Sequence, residues 1–142
     1  MWKPNVRPYD EYFAKKQAIT TTAVVGNVAA NNPMRLDAAQ GATAIRVAVP
    51  LDASLVVANA ATVTLTVRAA KLEAGTPIVI GTALYTNDTG AAVTFGPDAT
   101  LLEFILPQAT FVYPYVQVQI EGSAAPTGSV DIFPHQVSQP RR

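Results

Sequence analysis

From Gln17 onward the hydrophobic and polar residues of the chain alternate with a period of two. In Ala61-Thr62-Val63-Thr64-Leu65-Thr66-Val67-Arg68 the residues Val63, Leu65 and Val67 share one face and Thr64, Thr66 and Arg68 the other, and Val116-Gln117-Val118-Gln119-Ile120-Glu121 repeats the pattern. Side chains of a strand point alternately to the two faces of a sheet, so these runs predict half-buried antiparallel strands with one face on a core. Further strands are predicted over Ala18 to Val25, Met34 to Leu36, Ala44 to Val49, Leu55 to Val57, Ile78 to Tyr85, Leu101 to Leu106 and Ser129 to Phe133. Turn signals separate them: Gly26-Asn27, Asn31-Asn32-Pro33, Pro50 to Asp52, Ala74 to Pro77, Asn87 to Gly90, Gly96 to Asp98 and Gly122 to Gly128.

Eight or nine short strands at this spacing predict a sandwich or barrel, because two sheets must each cover an apolar face. The Ala-rich stretch from Leu51 to Ala61 also suits a helical turn. One short helix is predicted between Pro8 and Ala18, with Asp10 as N-cap and Lys15 and Lys16 at the end where the helix dipole favours cations. Glu11 and Lys15 are spaced i, i+4. The chain therefore divides into an N-terminal arm (1–17), a β-sandwich domain (18–136) and a C-terminal tail (137–142).

The arm is where composition departs from the rest. It holds Trp2, Tyr9, Tyr12 and Phe13, four of the eleven aromatic residues, among Lys3, Arg7, Lys15 and Lys16 and broken by Pro4 and Pro8. Aromatic residues and arginine are the types most enriched in binding hot spots. Sixteen extended residues reach about 50 Å, enough to span a neighbouring subunit. Trp2, Arg7, Tyr9, Tyr12, Phe13, Lys15 and Lys16 are the candidate partner-binding residues. The arm either grips a neighbour or folds back to cap its own sandwich. In the first case, deleting residues 1–17 leaves a folded body that has lost its partner.

Charge narrows the choice of partner. Ten basic and ten acidic residues cancel, but residues 18–136 carry four cations against eight carboxylates, a net of −4, while both ends are basic. A body of that sign repels phosphate, so direct nucleic-acid binding is not expected. Charged residues are 14% of the chain, against about 25% in soluble domains, and a nearly neutral surface of Thr, Asn, Gln and Ala favours association. No run approaches the roughly 18 apolar residues of a membrane span, and no apolar signal region opens the chain. A cytoplasmic site of synthesis is expected, and the sequon Asn87-Asp88-Thr89 reads as a turn.

Reactive chemistry is sparse. Without cysteine there is no thiolate, disulfide or zinc-thiolate site, and the single histidine, His135, rules out most metal and acid–base schemes. A hydrolytic triad would need His135 beside Ser54, Ser123, Ser129 or Ser138, none of which sits in a nucleophile elbow. Paired carboxylates such as Asp98 with Glu103, or Glu73 with Asp88, read as solvated loop and strand residues. No phosphate-binding glycine loop and no EF-hand loop is present. Phe111, Tyr113 and Tyr115 recur with period two and read as a core aromatic stripe, or else as a ligand platform. No enzymatic activity, cofactor or metal is expected.

The order of strand-like blocks resembles the small jelly-roll cement, or decoration, proteins of tailed bacteriophage capsids, especially those of short-tailed phages. The stretches that carry the resemblance are Ala18 to Asn27, Ala61 to Arg68, Leu101 to Pro107, Tyr115 to Ile120 and Thr127-Gly128-Ser129-Val130-Asp131-Ile132. The family is expected to begin close to its first strand, so the aromatic arm lies outside the resemblance. The resemblance implies a jelly-roll-like antiparallel β-sandwich of about eight strands, and the chain as a whole reads as all-β, with the sandwich preceded by an extended N-terminal arm containing at most one short helix. The resemblance also implies a homo-oligomeric virion protein, a dimer or trimer, that binds the outer surface of a phage capsid and cements neighbouring major capsid subunits. A glycan- or receptor-binding β-sandwich on a virion or cell surface, with Tyr85, Tyr113 or Tyr115 stacking on a sugar, is the alternative expectation.

Overall fold

A computed structural model describes residues 12–28, 34–35, 43–72, 74–106, 113 and 115–136. These residues form eleven strands: β1 (Ala14–Ala18), β2 (Val24–Val25), β3 (Met34–Arg35), β4 (Thr43–Ala48), β5 (Leu55–Val57), β6 (Thr62–Ala70), β7 (Ile78–Thr86), β8 (Val93–Phe95), β9 (Thr100–Ile105), β10 (Tyr115–Gly122) and β11 (Ser129–Gln136). Pairing runs from the two ends of the chain inward. β1 pairs with β11, β2 and β3 with β10, β4 with β9, and β6 with β7, all antiparallel. Such a sequence of pairs is one long ribbon folded at the β6–β7 hairpin. The additional pairings of β11 with β4 and of β10 with β6 roll the ribbon into two sheets, ordered β1-β11-β4-β9 and β2-β10-β6-β7, with β3 sharing the β10 edge. This is the strand order of a jelly roll. Counting β2 and β3 as one position, eight positions make the sandwich, and β5 with β8 forms a separate two-stranded ribbon.

The core lies between the sheets. Val63, Leu65, Val67 and Ala69 of β6, Val116, Val118 and Ile120 of β10, Ile45 and Val47 of β4, and Val130 and Ile132 of β11 are all at most 1% exposed. Each buried Val, Leu or Ile among them contributes about 1.5–3 kcal/mol of burial, so the alternation visible in the sequence is also the main source of stability. The β5–β8 ribbon adds Leu55 and Val57 to this core. It is tied to the approach of β11 by reciprocal backbone hydrogen bonds between Val56 and Thr127, 2.9 and 3.0 Å.

Three expectations are corrected by pairing. Ala14–Ala18 is a strand, not the C-terminal half of a helix, and no helix occurs among the described residues. A capped helical turn with one i, i+4 pair is worth a few tenths of a kcal/mol, whereas an unpaired β11 would leave a row of backbone groups open. The Phe13 N–H donates to the Ile132 carbonyl at 2.7 Å, and Asn27 clasps Lys15 with two side-chain hydrogen bonds of 2.9 Å to its backbone. The arm boundary at residue 17 therefore falls inside β1. Secondly, the run Ala18 to Val25 is divided between β1 and β2, with Ile19, 1% exposed, held in the core between them. The third is Val93–Phe95, which pairs with β5 where no strand was predicted.

Two backbone details show how the sequence tolerates the fold. Pro134 lies within β11, a central strand, although proline removes a ladder donor. Because Ile132 turns its carbonyl toward Phe13, residue 134 faces the same way, beyond the last β1 pair at Ala14 and Ile132, where no described residue calls for its N–H. Ala60 closes the turn between β5 and β6 at φ 64°, a left-handed conformation that costs a non-glycine residue about 1 kcal/mol. Its N–H donates to the Asn87 carbonyl at 2.9 Å. Replacing Ala60 with Gly is expected to stabilise the protein by up to about 1 kcal/mol, partly offset by the freer unfolded chain. A raised midpoint in urea with an unchanged m-value would show it; a lowered midpoint would refute it.

Candidate partner-binding surfaces

The candidate residues of the arm divide into three groups. Trp2, Arg7 and Tyr9 lie outside the described residues. Tyr12 and Phe13 are 9% and 5% exposed, so these two rings are spent on the protein's own body. Phe13 joins the main core, and Tyr12 packs edge-on against Phe133 with ring centroids 5.4 Å apart. Gly26 accommodates this path, since a Cβ there would stand 2.2 Å from the Phe13 carbonyl oxygen. Lys15 and Lys16 remain at the surface.

Lys15, Lys16 and Tyr12 come together at an open groove of about 440 Å³, whose other walls are Pro50, Leu51, Asp52 and Asp131. A bulge in β1 aims the lysines. Lys16 sits at φ 48°, between the β11 pairs of Ala14 and Gln17, and its N–H donates to Asp131 Oδ1 at 2.8 Å. Its Nζ reaches Asp52 at 3.2 Å, while the Lys15 ammonium stands 4.5 Å over the Tyr12 ring. Both side chains of the Lys16–Asp52 pair are about two-thirds exposed, so the pair contributes little to stability. The groove balances two cations with two carboxylates, and its aromatic ring is occupied on one face by Lys15 and at its edge by Phe133. It offers a polar rim with one exposed apolar residue, Leu51.

Beneath the groove, the outward face of β4 and β11 is buried as well. Ala48 and Phe133 are fully covered, and Arg46 is 2% exposed. Arg46 donates to the Thr100 hydroxyl at 2.6 Å and the Asp98 carbonyl at 2.7 Å, pairs with the Asp98 carboxylate at 3.5 Å, and lies 5.5 Å over the Phe133 ring. A fully desolvated guanidinium requires such a set of partners. Lys15, Tyr12, Phe133 and Arg46 thus form a continuous cation–ring–ring–cation stack across this face. Asp98 serves this stack as the partner of Arg46.

The outward face of the other sheet is different. Thr62, Thr64, Thr66 and Arg68 of β6 and Tyr115, Gln117, Gln119 and Glu121 of β10 stand side by side, all half-buried, and β7 continues the face with Thr82, Leu84 and Thr86, all exposed. Cross-strand pairs such as Thr66 with Gln119 and Thr66 with Thr82 make a flat row of short hydrogen-bonding side chains. Arg68 donates through Nη2 to the Gln117 side-chain oxygen, and its buried Nε–H meets no acceptor among the described residues. No known family and no curated protein matches this chain. The surfaces must be read from their own chemistry.

The aromatic candidates separate by face. Tyr113 packs against the core, with the Lys71 ammonium 5.7 Å over its ring, whereas Tyr115 lies on the outward face. Phe111 lies outside the described residues. The expectation of a single stripe fails because β10 starts at residue 115, and within it the core face belongs to Val116, Val118 and Ile120. Tyr85 is half-buried, packed against the core and edge-on to Phe95 at 5.5 Å. His135 and Ser129 stand six residues apart in β11, about 20 Å along the strand. No cluster of three His, Asp or Glu side chains forms among the described residues.

Asn87, like Arg46, is a buried polar residue whose importance sequence reasoning missed. It is fully buried and donates through Nδ2 to the carbonyls of Val57, Ala58 and Ala91, at 3.1, 3.0 and 2.9 Å. An Asn-Asp-Thr-Gly run signals the local Asx turn, in which Thr89 N–H and hydroxyl donate to Asn87 Oδ1. The contact with Val57, thirty residues away, has no local signal. A side chain so engaged builds the turn rather than carrying a glycan.

Proposed function

We propose that the chain is a structural virion protein that binds the outer surface of a phage capsid and cements neighbouring major capsid subunits as a homo-oligomer. The observation that carries this reading is the outward face of β6, β7 and β10. It is built mainly of Thr and Gln side chains, with Arg68 and Glu121 as its only charged residues among those described and no net charge between them. A protein surface of this kind docks on another protein without stranding charges that would need partners, and its affinity grows through many modest contacts multiplied by symmetry. The jelly-roll order supports the same reading, because capsid proteins are prominent among double-sheet jelly rolls. In this role the major capsid protein is the partner, the capsid exterior the location, and Trp2, Arg7 and Tyr9 supply the reach to a neighbouring subunit while Lys15 and Lys16 mark where that reach begins.

Co-sedimentation with DNA-filled heads of its own phage through a sucrose gradient tests the proposal. The protein is expected in the head fraction, and Thr66→Lys with Gln119→Lys, which places two charges on the flat face, is expected to lower that binding at least tenfold. Absence of the unmodified protein from the head fraction would overturn the reading. Tyr115, half-exposed on the outward face beside the strand positions of Gln117 and Arg68, favours the second reading, a glycan- or receptor-binding sandwich on a virion or cell surface. A selective hit on a glycan array that is lost in Tyr115→Ala would establish it.

A further inference from the structure

Among the described residues, the edge strand β7 is an uncapped end of its sheet. It pairs with β6 on one side, and along its other side no hydrogen bond is made by Ile78–Thr86 among the described residues. Natural edges of this length are usually blunted with lysine, proline or a cover. β7 has neither lysine nor proline within its nine residues and no cover among the described residues, and residues 74–87 carry no charge. Its side chains are apolar where solvent would be expected to select otherwise. Ile78, Val79 and Leu84 are 48%, 59% and 62% exposed, and Ile105 of the adjacent edge strand β9 is 59% exposed. The two edges are held together by Phe104, whose ring fills the space over Gly81 where a Cβ would stand 2.4 Å away. Four of the six large exposed hydrophobic side chains among the described residues thus line one rim of the sandwich, and a fifth, Leu72, stands in the turn that leads into β7.

We propose that this rim is the homo-oligomer interface, in which β7 of one copy pairs antiparallel with β7 of a second copy across a two-fold axis near Thr82, joining the two sheets into one. The proposal rests on the homo-oligomeric part of the function given above and not on capsid binding. Charge placement selects this occupant and this direction. Lys71 is exposed before β7 and Asp88 is exposed after it. Antiparallel self-pairing brings the Asp88 end of each copy toward the Lys71 end of the other, twice, whereas parallel pairing would bring like charges together. The size is sufficient. A nine-residue strand is about 30 Å long, and with both sheet edges and the flanking side chains a rim about 20 Å wide covers roughly 600 Å² per copy, at the lower end of specific interfaces.

Light scattering on a sizing column tests this directly. At tens of micromolar the unmodified chain is expected to run at twice its mass of 15.0 kDa. Leu84→Lys combined with Val79→Lys is expected to run at the single-chain mass with an unchanged far-ultraviolet circular dichroism spectrum, since both side chains face solvent in the single copy. Leu51→Lys, equally exposed at the β1 groove, should remain a dimer. A single-chain mass or a trimer for the unmodified protein, or a dimer indifferent to the β7 lysines, would overturn the interface. The gradient with phage heads reads the other proposal separately: a single-chain protein that still binds heads refutes this interface alone, and a dimer that ignores them refutes capsid binding alone.

Discussion

A chain that begins at Ala18 will not keep the stability of the full protein. Removing residues 1–17 takes away most of β1, leaving the outer side of β11 without a partner, and extracts Phe13 and Ala14, 5% and 0% exposed, from the core. Loss of a buried phenylalanine side chain alone costs about 3–5 kcal/mol. The Ile132 carbonyl and the Asp131 carboxylate also lose the donors supplied by Phe13 and Lys16. Against a total stability of about 5–15 kcal/mol, the sum brings the protein close to unfolding at room temperature. Calorimetry should show the melting temperature lowered by at least about 10 °C, at roughly 3 °C per kcal/mol for a chain of this size. A truncated protein that melts within a few degrees of the full chain would show that β1 is dispensable. The deletion that tests anchoring to a neighbour is therefore residues 1–11, which removes Trp2, Arg7 and Tyr9 and leaves every contact described for Tyr12–Ala18 in place. A protein so shortened is expected to keep its melting temperature and to lose capsid binding.

The same region marks the boundary between what the sequence discloses and what it does not. Strands β6 and β10 are legible residue by residue, because a strand buried on one face must alternate and Val63 to Val67 and Val116 to Ile120 do so without error. Strand β1 is illegible. Lys15 and Lys16 are adjacent and charged, Gln17 is polar yet 7% exposed, and the bulge at Lys16 breaks the period of two. What makes Ala14–Ala18 a strand is the vacant side of β11, more than a hundred residues away. Local propensity reads only neighbours, so a helix cap at Asp10 and a favourable Glu11–Lys15 spacing outweigh a partner that the sequence does not display. The candidate surfaces divide in the same way. The Thr and Gln rows are visible as the polar half of an alternating pattern, but Tyr12 and Phe13 look like exposed anchors until the fold assigns them to the core. The exposed rim of β7 is hidden for the opposite reason: Ile78, Val79 and Leu84 look like core residues in sequence, and only the topology places their strand at an edge.

Asn87→Asp, a change of one atom type with no change of shape, is expected to be among the most damaging substitutions in the protein. The Nδ2 group lies within 3.1 Å of three carbonyl oxygens, those of Val57, Ala58 and Ala91. A carboxylate places an oxygen there, so three attractive contacts become three repulsions around a buried charge. The other oxygen still accepts from Thr89, which rescues only the local turn. An uncompensated buried charge costs about 3–5 kcal/mol. Asn87→Ala removes the same donors without adding charge and should cost less, about 2–3 kcal/mol, from carbonyls left short of partners. The order of stability at pH 7 is therefore the unmodified protein, then Asn87→Ala, then Asn87→Asp. Lowering the pH weakens the last step. Burial without a cation raises the pKa of an introduced carboxyl above its unfolded value of about 3.9, so its penalty is greatest above the folded pKa and fades as pH falls through it. Protonation returns one donor to the carbonyl cluster. Urea unfolding at pH 7 and near pH 4 measures the difference: the gap between Asp and Ala variants should shrink or change sign at the lower pH. A constant gap would mean that the turn has reopened to water, and that Asn87 holds β5 to β7 less firmly than its five hydrogen bonds imply.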